Sequence, residues 1–231
     1  MNMSHEQRTF AFAGRLYAGK DYVAEQAGLK KIGFADPMYE IAKYFHGTTD
    51  KSAPGIRRFL QLIGQWGWGH TDPDCSDYHY TVERANMTGL VRTLGREGAF
   101  QGFPDEIGHW RNYGLDRSFW VNILDRRLRE MTEDAAIVNI RFEHEIGYAK
   151  SRGIPVYLVW VSKETQLERL AAHGVELTEK ELKDKSEQFC EQLRYTLPAE
   201  NIIWNDHRPM EDSRFLSVED FVNLDVNGEI N

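Results

Sequence analysis

Apolar positions in this chain fall into short runs that alternate with amphipathic stretches, the mark of strands separated by helices. Residues 9–13 read as a strand, 14–19 as a glycine-bounded loop, and 20–27 as a helix stopped by Gly28. A second strand is expected over 31–34. Asp36-Pro37 then opens a helix whose Met38, Ile41, Ala42 and Phe45 fall at i, i+3, i+4 and i+7, closing at Gly47. Ile56, Phe59, Leu60 and Ile63 form another helical stripe, and Phe119, Trp120, Ile123, Leu124 and Leu128 a longer one. Between these stripes, 66–116 is rich in Gly, Trp, Tyr and His with weak periodicity, and it reads as an insertion. Regularity returns with a strand over 136–140, a helix over 143–152 ended by Gly153, and a strand over 155–161. Two polar helices (163–172 and 178–195), a strand (201–204) and a last helix from about 217 to 223 complete the order.

Five apolar strands separated by helices imply a parallel sheet covered on both faces. In such sheets ligands bind beyond the carboxyl ends of the strands. That edge collects Ala13-Gly14, Ala35-Asp36, Asn139 with Arg141, residues 161–163, and Asn205-Asp206. Composition narrows the function classes. At 231 residues and 41% hydrophobic, the chain has a folded protein's composition, which excludes global disorder. Two cysteines, Cys75 and Cys190, give neither a disulfide framework nor a four-cysteine zinc site. The longest apolar run, 154–161, is far short of the roughly 20 residues that span a bilayer, and the first eight residues lack an apolar signal core. A soluble, cytoplasmic protein without a membrane partner is expected. Lys and Arg number 28 against 36 Asp and Glu, a net charge of −8. That balance argues against a stable nucleic-acid partner, whose phosphates need cations, and leaves room for a local basic cleft.

Gly14-Arg15-Leu16-Tyr17-Ala18-Gly19-Lys20-Asp21 has the form G-x-x-x-x-G-K, followed by Asp where Ser or Thr is usual. It sits between an expected strand and an expected helix, the context that marks a phosphate-binding loop. Two glycines let successive N–H groups point inward at phosphate oxygens, the helix N-terminus adds partial positive charge, and Lys20 adds a full one. Asp21 cannot copy a neutral hydroxyl on magnesium, but it can ligate the ion directly or through water.

With this loop, the chain carries Phe34-Ala35-Asp36-Pro37-Met38, Leu60-Gln61-x-x-Gly64, Val138-Asn139-Ile140-Arg141-Phe142-x-x-Glu145, Ser186-Glu187 and Ile203-x-Asn205-Asp206. In order and spacing, from about residue 9 to 222, these resemble the deoxynucleoside monophosphate kinases of tailed bacteriophages, within the P-loop kinase superfamily. The resemblance implies a single three-layer α/β/α P-loop kinase domain with a five-stranded parallel sheet. Its core would be about 9–47 and 132–225, its helical substrate-binding insertion about 48–131 and its lid about 163–187. The implied activity is phosphorylation of a deoxynucleoside monophosphate with ATP and Mg2+, in the host cytoplasm if the gene is a phage's. A homodimer is compatible with it.

The candidate residues divide accordingly. ATP would be held by Gly14, Arg15, Tyr17, Ala18, Gly19, Lys20, Asp21 and Tyr22, with Asn205-Asp206 beside the adenine. Lys20, Asp36 and Arg141 would be catalytic, and Asp21 and Asp36 would serve the metal. Asp36 also suits a helix N-cap, with Pro37 at the first helical position. Arg57 and Gln61, four apart, share a helix face; one of Arg57 and Arg58 is expected to grip the acceptor phosphate as a planar fork. Asn139 stands where the family usually has Asp, keeping hydrogen bonding without charge. Arg141, two residues on and on the same side of an extended chain, would neutralise the transferring phosphate. Glu145 would fix Arg141 through an ion pair or contact the substrate. Lys163 and Arg169 would bring charge from the lid, although a solvated helical face is the commoner meaning of such composition.

Trp66, Trp68, His70, Trp110 and Trp120 crowd the insertion and its end, and aromatic faces stack on bases. Trp120 lies in a helical stripe and reads as packing unless Arg111 or Asp116 nearby contacts a base. His70, Asp72, Asp74, Cys75 and His79 match no recognised metal-ligand spacing. Two alternatives stay open: a P-loop kinase acting on a hydroxymethylated pyrimidine, as nucleotide or in DNA, and a nucleotide-binding protein without chemistry, motivated by Asn139.

Overall fold

The computed structural model describes residues 7–50, 53, 56, 60, 119–175 and 185–227. The chain divides into two compact units, one formed by Met1–Phe34 with Leu124–Asn231 and the other by Ala35–Ile123.

The first unit is an α/β layer structure. Its strands are β1 (Thr9–Ala13), β2 (Lys30–Ile32), β3 (Ala135–Ile140), β4 (Val156–Trp160), β5 (Ile202–Trp204) and β6 (Leu216–Ser217). They form one sheet in the order β2-β3-β1-β4-β5-β6, and every pairing is parallel. The helices are α1 (Lys20–Gln26), α2 (Asp36–His46), α3 (Phe119–Glu130), α4 (Glu143–Ser151), α5 (Lys163–Ala172), α6 (Lys185–Thr196) and α7 (Val218–Asn227). Of these α2 belongs to the second unit, and α3 begins there and ends in the first. The expected sheet had five strands, and the sixth is a correction. A two-residue strand shows no period-2 alternation, so Leu216–Ser217 merged in the sequence with the start of the last helix.

The core follows from strand alternation. Phe10, Phe12, Ala136, Val138, Tyr157, Val159 and Ile203 share one face of the sheet, where they bury against Val23 and Ala24 of α1 and Phe221 of α7. Phe221 is the keystone aromatic of that layer. Its ring centroid lies 5.7 Å from Phe10, 5.4 Å from Phe12 and 5.0 Å from Tyr157, all edge-on, the favoured geometry for aromatic quadrupoles. Helices α4 and α6 pack against β4. The whole is compatible with three α/β/α layers. No helix among the described residues is long and apolar enough to cross a membrane.

One irregularity matters for the site. Ala11 pairs with Ile137, but Ala13 pairs with Ile140, so β3 spends three residues where β1 spends two. This is a β-bulge, and Asn139 takes its left-handed position at φ 76°, a conformation that Asn tolerates better than most side chains. The extended alternation expected from Asn139 to Arg141 is therefore broken.

In the second unit α2 presents Met38, Tyr39 and Ala42 to Ala53, Ile56 and Leu60. Asp36 sits in the first turn of α2, one residue inside the expected cap; Ala35 holds the N-cap position without a side-chain bond.

Truncating Phe221 to Ala should cost about 3–5 kcal/mol, the range for emptying a buried aromatic site, because three rings lose their common partner. Chemical denaturation checks this, and a loss below about 1 kcal/mol would contradict the packing.

Candidate functional site

β1 runs directly into the loop 14–19, and α1 follows. Two glycines let the loop close on its neighbours. At Gly14 a Cβ would stand 2.6 Å from the Val159 carbonyl oxygen, and at Gly19, φ 89°, it would stand 2.2 Å from Asn205 Nδ2. Neither position admits a larger residue without displacing backbone or the asparagine. Between them Tyr17 also adopts a left-handed φ of 60°. Lys20 is buried and lies across the start of the loop, its ammonium donating to Gly14 O at 2.8 Å and Arg15 O at 2.9 Å.

A cavity of about 370 Å³ opens here. Its walls are Leu16, Tyr17, Gly19, Lys20 and Asp21 from the loop and α1, Asn139 and Arg141 from the end of β3, and Arg169 and His173 from α5 and its C-cap. Lys20, Arg141 and Arg169 are the Lys and Arg residues that line it. The Tyr17 and Gly19 N–H groups have no acceptor among the described residues. A concave site with cations and unspent backbone donors suits an oxyanion, because charge-assisted N–H bonds are the strong ones.

Side chains from α5 and from the turn after β5 hold the loop in place. Gln166 of α5, itself buried, donates from Nε2 to Leu16 O at 2.9 Å. Arg169 Nη1 donates to Tyr17 O and Ala18 O, at 3.2 and 3.3 Å, while its Nη2 donates to Asn205 O at 2.7 Å. Asn205 in turn donates from Nδ2 to Ala18 O at 2.8 Å. Asp206 fixes the N-terminus of α5, accepting from Ser162 N at 2.7 Å and Thr165 Oγ1 at 2.6 Å. Burial opposes its charge, but these bonds outweigh that and hold the carboxyl well below the usual carboxylate range.

Glu145 is buried, 3% exposed. It sits at the third position of α4 and reaches back to the chain before the helix, its Oε2 accepting from Arg141 N at 2.6 Å and Phe142 N at 3.0 Å. This is half of a capping box. Among the described residues Glu145 makes no ion pair with the Arg141 guanidinium within 4 Å; it fixes the Arg141 backbone. Burial pushes the Glu145 carboxyl up to about 7, against the lowering effect of the two N–H groups and of Arg141.

The other expected residues are placed as follows. The Arg15 side chain turns away from solvent, stacking its guanidinium 4.0 Å from the Trp160 ring and pairing with Glu191 of α6. The opening of the loop is thereby tied to α6. Ala18 is buried, Tyr22 is half-exposed, and the Asp21 carboxylate lies 3.8 Å from Lys31 Nζ. Lys163 is exposed at the start of α5. Trp120 is fully buried, as packing requires. Asp36 opens α2 in the second unit. Arg57, Arg58, Gln61, Arg111 and Asp116 lie outside the described residues, as do Trp66, Trp68, Trp110 and the His70–His79 cluster. Sequence reasoning missed Leu16, Gln166 and His173. The Gln166 contact is to the Leu16 backbone carbonyl, which no side-chain pattern reports; the His173 ring centroid lies 5.0 Å from that of Tyr17, 173 − 17 = 156 positions away in the chain.

No family model, curated protein or solved structure matches this chain.

The raised Glu145 carboxyl makes stability pH-dependent. The folded chain binds a proton between the ordinary value of 4.5 and about 7 that the unfolded chain releases, so the contribution is complete below 4.5 and is lost as pH rises through 7. Glu145→Gln keeps an acceptor oxygen without the titration. Its stability should not share the wild-type decline of up to about 1.4 kcal/mol per pH unit in that window. Urea midpoints across the range measure it, and parallel curves would contradict the assignment.

Proposed function

We propose that the chain is a P-loop nucleotide kinase transferring the γ-phosphoryl group of ATP to the phosphate of a deoxynucleoside monophosphate. The observation that carries the reading is the cavity at which the G-x-x-x-x-G-K loop, Lys20, Arg141 and Arg169 converge beyond the carboxyl ends of β1 and β3. The resemblance of the motif order to that of the phage deoxynucleoside monophosphate kinases supports the acceptor class.

The reaction forms a bond from an acceptor phosphate oxygen to the γ-phosphorus and breaks the bond from that phosphorus to the β–γ bridging oxygen, releasing ADP. Little covalent chemistry falls to the protein; positioning and charge stabilisation do the rest. The Tyr17 and Gly19 N–H groups bind the donor's phosphate oxygens, Lys20 places a full charge beside them, and Arg141, held at its backbone by Glu145, faces the phosphoryl group in transfer. Asp36, Arg57, Arg58, Gln61, Arg111 and Asp116 take the acceptor in this reading.

Asp21, which lines the cavity and is 61% exposed, would hold magnesium in this reading, with nucleotide phosphates and water as the other ligands. Held there, the ion would supply Lewis-acid stabilisation of the phosphate charge.

A second reading, nucleotide binding without transfer, is favoured by Asn139, which is neutral and lines the cavity at the bulge. One assay separates them: a panel of deoxynucleoside monophosphates, ribonucleotides and hydroxymethylated DNA with ATP and magnesium, read as acceptor-dependent ADP. The kinase reading expects transfer to at least one free deoxynucleoside monophosphate, and a turnover about 100-fold lower or worse in Lys20→Ala, the scale for losing a preorganised charge partner. Binding of ATP with no transfer to any acceptor supports the second reading.

A further inference from the structure

Three consecutive peptide units of the loop have their carbonyl oxygens occupied from outside it: Leu16 O by Gln166, Tyr17 O by Arg169, and Ala18 O by both Arg169 and Asn205. The donors come from two separate elements, α5 and the turn after β5, and the Arg169–Asn205 bond joins them. A trans peptide unit is planar, with its N–H directed opposite to its C=O. Fixing the Leu16 and Ala18 carbonyls therefore also fixes the directions of the Tyr17 and Gly19 N–H groups, which belong to the same two peptide planes. Tyr17 and Gly19 line the cavity, and neither of their N–H groups has an acceptor among the described residues. The intervening Ala18 N–H is spent inside the loop, on Arg15 O at 3.1 Å. Donors, carbonyls and unspent amides are thus parts of one device.

We propose that Gln166, Arg169 and Asn205 are positioning residues, a girdle that holds the Tyr17 and Gly19 N–H groups toward the cavity as a preformed seat for the polyphosphate of a nucleotide. The inference rests on the kinase reading and deepens it, because it gives Arg169 a different task from a lid cation. The guanidinium donates to two loop carbonyls, Tyr17 O and Ala18 O, and to Asn205 O in the turn after β5, so it acts through the loop. Preformed donors bind tightly because the ligand does not have to order them. Charge alone would not need Gln166, which is neutral and buried, nor a fork; shape needs both.

Calorimetric titration of ADP with magnesium into the full chain tests this, for the wild type, Gln166→Met and Arg169→Lys, at several salt concentrations. Gln166→Met removes one hydrogen bond and no charge, and it should weaken ADP by about tenfold, the net worth of a hydrogen bond. Arg169→Lys keeps the charge and loses the fork; it should weaken ADP by at least as much, with a salt dependence like the wild type's. An Arg169→Lys affinity within about twofold of the wild type would assign Arg169 to direct charge neutralisation and overturn the proposal. So would variants that melt at lower temperature without ligand yet bind ADP as tightly as the wild type, the mark of a purely structural role. If Arg169→Lys fails to fold, Gln166→Met decides by the same criterion. Failure of the wild type to bind ADP overturns the kinase reading and the girdle together; wild-type binding with unchanged variants overturns the girdle alone.

Discussion

The site at the carboxyl edge of this sheet depends on a loop clamped at its carbonyls. Loop 14–19 has two glycines and a left-handed tyrosine, and left to itself such a segment samples many conformations. Hydrogen bonds to its carbonyls from Gln166, Arg169 and Asn205 remove that freedom on one side, and Lys20 ties its start on the other. The constraint propagates outward. Arg169 and Gln166 can reach the loop only because α5 starts where it does, and Asp206 sets that start by accepting from Ser162 and Thr165. The turn after β5 therefore acts twice, once through Asn205 on the loop and once through Asp206 on the helix.

The opposite wall of the cavity is built by a different device. The bulge at Asn139 adds a residue to β3 just before the strand ends, and Glu145 then catches the Arg141 and Phe142 amides as the chain turns into α4. A buried carboxylate bonded to two N–H groups fixes the approach of Arg141 more firmly than a solvated ion pair would, since exposed pairs contribute little. The cost is a carboxyl whose charged form is disfavoured by burial. On the kinase reading, both walls place cations where phosphate charge lies, inside a chain whose net charge is −8. A local arrangement of few cations outweighs the global balance, because a small anion feels groups within several ångströms more than those a Debye length away.

Much of the scaffold was legible in the chain itself. Strands β1, β3 and β4 and helices α1, α2 and α5 fall within a residue or two of positions set by apolar periodicity and by Gly28, Gly47 and Gly153, whose left-handed φ values follow helix ends. The loop was legible because its glycine spacing has a physical cause. The sixth strand was not, being too short to show a period. Nor was the bulge: Asn139 stood out for its missing charge, while its left-handed backbone came from the register with β1. Glu145 was legible as a partner of Arg141 but not as a partner of its backbone, and Arg169 was legible as a cation but not as a clamp. The Glu145 bond spans only four residues and is a local cap that the pairing with Arg141 overshadowed; the clamp of Arg169 and Asn205 arises from bonds between distant residues, such as the 187 positions between Asn205 and Ala18, and no local pattern encodes it.

The central claim is that the Tyr17 and Gly19 N–H groups face the cavity, ready for phosphate oxygens. Amide chemical shifts of the 15N-labelled full chain, followed during titration with ADP and magnesium, test it most directly. The account predicts that the Tyr17 and Gly19 amide protons move strongly downfield as they acquire charged acceptors, while the Ala18 amide, already bonded to Arg15 O, moves little. Saturable ADP binding with the Tyr17 and Gly19 resonances unmoved would contradict it.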